Sequence, residues 1–249
     1  MSAAKKRRDS LALPPVDLRS IVGSPVRWQG SRPLCVPISV AAAHEAARAK
    51  AVGTDAPELC IEPLWGHCVA SGRTSAEGTW LDAVGDALTS DGHTFESVWP
   101  YNETLAEHTE ARPAGADQAD WFTADLVAVP VAHDGIESMI EAALSAELAV
   151  VLLIEMTAEF DPTGPGGEIS VPPIQSPAGA YHAVVAVGAA TNSAGDTRRL
   201  LIRNSWGTRW GAGGYGWLPY DYLIGFCPQA AVIDPSTLRT CRKGPHGTV

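Results

Sequence analysis

Arg203-Asn-Ser-Trp-Gly-Thr-Arg-Trp-Gly211, followed at once by Gly213-Gly-Tyr-Gly-Trp217, is the stretch from which the fold of this chain can be read. It begins where a strand-like apolar run, Leu200–Arg203, ends, and its glycines mark turns. Upstream, Thr191-Asn-Ser-Ala-Gly-Asp196 separates that run from a second one, Ala183–Val187, and reads as a hairpin tip. The second run opens on Tyr181-His182. If the two runs pair antiparallel, His182 and Asn204 come side by side near the outer ends of the hairpin. An asparagine carbonyl can accept from one ring nitrogen of a histidine and fix its tautomer and direction. A strand, in turn, gives an imidazole the steady backbone that a general base needs.

Working outward, the chain changes character near Arg112–Ala119. Behind that point lie two more strand-like runs, Leu126–Val131 and Ala149–Ile154, and one helix carrying Ile136, Met139, Ile140 and Leu144 at helical spacing. Asp161-Pro-Thr-Gly-Pro-Gly-Gly167 is a turn. Ahead of it the patterns are helical: residues 36–49 are rich in Ala and Val, and Thr79–Thr89 sets Trp80, Val84 and Leu88 four apart. The spacing predicts an α+β protein with a helical lobe over about 30–115 and a β lobe over about 120–236. A cleft between two such halves is a usual place for a site.

The 249 residues carry 18 Lys+Arg against 28 Asp+Glu, a formal charge of −10. Lys5, Lys6, Arg7 and Arg8 supply four of the cations, so residues 11–249 hold 14 basic against 27 acidic residues, a charge of −13. That balance argues against nucleic-acid binding, which needs a concentrated positive surface. The longest purely apolar run, Leu148–Ile154, is seven residues, far below the ~20 that span a bilayer. No apolar stretch of signal-peptide length follows the basic cluster. The expectation is a cytoplasmic protein with neither nucleic-acid nor membrane partners, a disordered basic tail over 1–15 and a second disordered tail over 237–249.

Five cysteines, Cys35, Cys60, Cys68, Cys227 and Cys241, are too few and odd in number for a disulfide framework. Cys35 ends Gln29-Gly-Ser-Arg-Pro-Leu-Cys35 and opens the helical stretch. Unpaired amides and the positive end of the helix macrodipole favour a thiolate there. Pro37 is tolerated in a first turn, whose amides lack helical partners in any case. Val36 and Ile38 would anchor the helix in the core and hold the sulfur still.

The order Gln29, Cys35, His182, Asn204, with these neighbours, resembles the papain-like cysteine peptidases, especially their compact bacterial members. Asn204-Ser-Trp-Gly207 with Trp210-Gly and Gly213-Gly-Tyr-Gly216 looks like the family's segment around its orienting asparagine. Val16-Asp-Leu-Arg19 resembles the start of the mature enzyme, Pro25-Val-Arg-Trp-Gln-Gly30 the approach to the nucleophile, and Gln29 stands at the family's spacing of six before Cys35. The resemblance implies a two-lobed fold over 16–236, helical lobe first and an antiparallel β-barrel-like lobe second, with the active site in the cleft. It implies Cys35 as nucleophile, His182 as general base and acid, Asn204 as its orienter, and Gln29 with the Cys35 N–H as oxyanion hole. Trp206 would shield the His–Asn bond, Gly78 would offer backbone to an extended substrate, and Ala183 would line a specificity pocket. The activity implied is hydrolysis of peptide or isopeptide bonds through a Cys35 thioester, with no cofactor and no metal. An acyltransferase or transamidase on the same site is the alternative reading, and a catalytically inactive binding module a further one.

Departures from the family pattern are local. Pro33-Leu-Cys-Val-Pro37 replaces the usual Gly-Ser/Ala-Cys-Trp/Tyr, and the family's paired cysteines are mostly missing. His182 follows Cys35 by 147 residues and Asn204 by 169, against about 130–150 in the family signature. The 15 or so residues before Val16 are too short for a helical inhibitory propeptide, so restraint by cleft access, a narrow substrate range or a regulatory protein partner is expected. Cys60, His67 and Cys68 are read as reduced helical core rather than zinc ligands, since no fourth ligand has matching spacing. His44 and Glu45, two turns past Cys35, are read as surface residues. Arg203 and Arg209 are read as solvated or ion-paired, and Trp28, Trp65, Trp80 and Trp121 as core or cleft wall.

Overall fold

A computed structural model describes residues 10–53, 58–106, 108–131, 135–162, 164–173 and 180–242. The basic cluster Lys5–Arg8 and residues 243–249 lie outside them. In chain order come β1 (Val16–Asp17), α1 (Cys35–Val52), α2 (Glu62–Ala70), β2 (Thr74–Ser75), β3 (Gly78–Thr79), α3 (Leu81–Ser90), β4 (Asp120–Thr123) and β5 (Leu126–Val129). Then follow α4 (Ile136–Ser145), β6 (Val150–Glu155), β7 (Tyr181–Thr191), β8 (Arg198–Arg203), β9 (Tyr215–Pro219), α5 (Tyr220–Phe226), β10 (Gln229–Ile233) and β11 (Arg239–Arg242). This mixture of helices and antiparallel sheet is the α+β class. The chain divides into two compact units.

The helical unit comprises Ile21–Ser24, Gln29–Val127 and the chain from Ile233 on. Helix α1 is apolar on nearly every side and buried from Cys35 to Ala47, as an all-round apolar helix must be. Gly53, left-handed, ends it by donating its N–H to the Ala49 carbonyl. Leu34, Ile38 and Ala41 pack with Ile61 and Trp65 of the α2 region, while Cys60, Trp99, Ala116 and Trp121 form a neighbouring cluster.

Two expectations are corrected in this unit. His44 and Glu45 are 0% and 1% exposed rather than surface residues. His44 Nδ1 lies 2.8 Å from His93 Nε2, and Glu45 accepts from the Ser24 hydroxyl and the Leu59 N–H. The tail expected from 237 is, over 239–242, strand β11, antiparallel to β4 with Thr240 opposite Phe122. β4 therefore belongs here, not to the β lobe expected to start at 120.

The sheet unit comprises the chain up to Ser20, Pro25–Trp28 and Ala128–Val232. Its sheet runs β5-β10-β6-β7-β8-β9, with β1 added to β7. The apolar runs Val150–Ile154 and Ala183–Val187 are continuous rather than alternating and are buried throughout, the pattern of strands covered on both faces. Ile136, Ile140 and Leu144 of α4 are buried, whereas Met139 is exposed. β7 and β8 form the expected antiparallel hairpin, from Val185 opposite Arg203 to Thr191 opposite Arg198. Residues 11–14, expected in a disordered tail, are instead held by it: the Leu11 carbonyl accepts from Thr191, and those of Leu13 and Pro14 accept from buried Arg198.

Candidate active site

In the sheet unit, β7 carries His182 opposite Ile154 of β6, and Asn204 directly follows β8. His182 Nε2 lies 2.7 Å from Asn204 Oδ1. The same oxygen accepts the Ser205 backbone N–H at 2.7 Å, while the Asn204 N–H donates to the Gly214 carbonyl. A backbone N–H can only donate, so Asn204 presents its carbonyl oxygen to both neighbours, and Nε2 must carry the imidazole proton. Nδ1 is left as the basic nitrogen.

Both residues are only 3% exposed. Burial pushes the His182 imidazole down to about 4, the hydrogen bond to Asn204 pulling weakly the other way. The Trp206 ring covers His182 at 4.6 Å between centroids, tilted 31°, and its backbone bridges Trp28. Phe160 meets His182 and Trp206 edge-on and stacks on Trp210. Nothing in the sequence singled Phe160 out, because it ends a single 3-10 turn, Ala158–Phe160, too short to show a periodic pattern.

In the helical unit, Cys35 is the first residue of α1, buried at 7% exposure and in no disulfide. The first helical bond is Ile38 N–H to the Leu34 carbonyl, so the preceding first-turn amides have no intrahelical acceptor. Gln29 starts the turn that leads in. Its carbonyl accepts from the Tyr101 hydroxyl at 2.8 Å, and its Nε2 donates to the Arg32 carbonyl at 3.0 Å. Gly78 is buried in β3 with φ +127°, and a Cβ there would stand 2.9 Å from the Pro33 carbonyl oxygen. That contact lays the Gly78 backbone beside the segment two residues ahead of the cysteine.

The structure thus assembles His182, Asn204 and Trp206 within one unit, and Gln29, Cys35 and Gly78 within the other. Ala183 is fully buried, opposite Leu153 of β6. Arg203 is not solvated: it is 5% exposed and donates to the Pro25 carbonyl. Arg209 is exposed. Trp65 and Trp121 are core, but Trp28 and Trp80 are about half exposed. Cys60 lies outside α2, in an extended segment, and Cys68 within it. Among the described residues no three His, Cys, Asp or Glu side chains cluster as metal ligands. No described helix is long and apolar enough to cross a membrane.

Solved structures share this fold. Xylellain, a cysteine protease from Xylella fastidiosa, superposes with a TM-score of 0.73 at 22% identity, over 94% of this chain and 90% of its own. Digestive procathepsin L 3 of the Tenebrio molitor larval midgut gives 0.70 at 21% identity, over 94% and 79%. Bromelain from Ananas comosus, solved with the E64 inhibitor, gives 0.64 at 20% identity, over 89% and 99%. A comparison with curated protein sequences finds no match. The fold is thus that of the papain-like cysteine proteases. The sequence pattern of the papain family cysteine proteases matches residues 14–226, and the chain belongs to that family; it is a hydrolase of the cysteine peptidase type.

Proposed function

We propose that this peptidase hydrolyses peptide or isopeptide bonds through a thioester on Cys35, with His182 as base and acid, Asn204 as its orienter, and Gln29 with the Cys35 N–H as oxyanion donors. The observation that carries the proposal is the 2.7 Å contact between His182 Nε2 and Asn204 Oδ1. It leaves Nδ1 to take the thiol proton. The thiolate attacks the carbonyl carbon, and the resulting oxyanion is held by the two N–H donors. The intermediate collapses, the C–N bond breaks, and the leaving amine takes the proton from the imidazolium. Water then attacks the thioester while Nδ1 accepts its proton, and the thiol and acid product are released.

Burial alone holds His182 neutral, so the imidazolium is stabilised only when a thiolate charge accompanies it. A low-pKa imidazole is therefore no obstacle to its role as base. Gln29 Nε2 donates to the Arg32 carbonyl, which fixes where the amide sits.

The test compares the wild type and Cys35→Ala on a peptide library, with iodoacetamide labelling mapped by mass spectrometry. The wild type should cleave, releasing free acids, and be alkylated first at Cys35; Cys35→Ala should do neither at that position. Turnover by Cys35→Ala, or rapid alkylation elsewhere with Cys35 untouched in the folded protein, would overturn the proposal. Peptide transfer to added amines in preference to hydrolysis would replace it with acyl transfer.

A further inference from the structure

The turn Gln29–Cys35 presents the nucleophile and the oxyanion amide, yet no side chain caps the helix it leads into: Leu34 stands at the N-cap with no capping hydrogen bond. What holds the turn lies in its middle. The Arg32 side chain is 0% exposed. Its Nε donates to the Ala106 carbonyl at 3.0 Å. One terminal nitrogen donates to Glu62 Oε1 and to the Asn102 carbonyl, the other to Glu62 Oε2 at 3.1 Å and the His108 carbonyl at 3.0 Å. Those are all five N–H donors a guanidinium has. Glu62, also 0% exposed at the side chain, provides the fork-shaped acceptor from the first residue of α2.

The backbone of the same residue grips Gln29 from the other side. The Arg32 carbonyl accepts both the Leu34 N–H, at 2.9 Å, and Gln29 Nε2, at 3.0 Å, while the Arg32 N–H donates to the Gln29 carbonyl. Tyr101, whose hydroxyl donates to that carbonyl as well, has its ring 5.0 Å from the guanidinium carbon. The side chain of Arg32 is thus bolted to α2 and to the carbonyls of Asn102, Ala106 and His108, and its main chain sets where the Gln29 amide sits.

We infer that Arg32, clamped by Glu62, is a positioning residue for the oxyanion donor Gln29: it acts on the rate of acylation and not on the reactivity of the thiol. The inference rests on the roles of Gln29 and Cys35 proposed above. A merely structural ion pair would lower the amount of folded enzyme and nothing else. A positioning residue should lower kcat per folded, titratable site.

The test uses a pair of variants. Arg32→Met with Glu62→Met replaces the buried pair by apolar groups of similar volume, a change that buried ion pairs commonly tolerate without loss of stability. Arg32→Lys keeps the charge and loses the fork. Each folded variant is measured for hydrolysis of an N-blocked peptide p-nitroanilide, whose poorer leaving group makes acylation the slow step, normalised by titration of active thiol, and separately for its rate of alkylation by iodoacetamide, a reaction that needs no oxyanion hole. Expected is a kcat lowered on the order of tenfold or more, a KM within about twofold, and an alkylation rate within about threefold of the wild type. Wild-type kcat in either folded variant overturns the inference, as does a parallel fall of kcat and alkylation. If both rearranged and failed to fold, Glu62→Gln, nearly isosteric, gives the same readouts. Failure of the proposed function shows differently, as hydrolysis that survives in Cys35→Ala.

Discussion

Asn204 Oδ1 accepts two N–H groups, from His182 and from the Ser205 backbone, and the second acceptance turns the amide so that the first can occur. Removing the oxygen leaves the imidazole in place but free to rotate and to change tautomer. Asn204→Ala should therefore lower kcat by roughly 10- to 100-fold, part of the 10²- to 10⁴-fold that an oriented acid–base group supplies, with KM little changed; steady-state kinetics checks this, and an unaltered kcat would assign the contact to packing alone. The asparagine was legible from its neighbours, because the glycines and tryptophans that shape its turn lie within a dozen residues of it. Phe160 and Arg32 were not. Their partners stand 22 to 76 residues away, and nothing local records such contacts.

At the level of elements, helical and strand periodicity placed α1, α3, α4 and the β7–β8 hairpin within a few residues of where they stand. Periodicity could not say which helix faces are covered. His44 and Glu45 looked like surface because polar residues usually lie outside; they are buried because each finds a partner there, His93 for one and Ser24 with Leu59 for the other. β3 shows the opposite case, a short element whose placement depends on one missing side chain. Gly78 has a φ that other residues rarely adopt and a Pro33 carbonyl where a Cβ would go. Gly78→Ala should cost about 1–3 kcal/mol in urea unfolding and reduce turnover by displacing the segment ahead of Cys35. Wild-type stability would show that β3 shifts without strain.

For the molecule as a whole, buried neutral histidine makes stability depend on pH. An unfolded chain takes up protons at His182 below its ordinary value of 6.5, whereas the folded chain resists until about 4. The unfolded state then binds more protons across that window, so stability falls as pH drops through it, by up to about 3 kcal/mol for this one group. His44, pushed well below its ordinary value by burial and by its neighbour His93, acts in the same sense. Urea titrations of the Cys35→Ala protein between pH 7 and 4 should show this decline, and a flat profile would contradict it. The sequence by itself determined the α+β class, the helix that starts at Cys35 and the hairpin that pairs His182 with Asn204, since each follows from spacing within one or two elements. Only the tertiary structure decided which carboxylate clamps Arg32, that Phe160 meets the histidine edge-on, and that residues 239–242 pair with β4, because these are contacts between segments far apart in the chain, selected by burial and hydrogen-bond satisfaction.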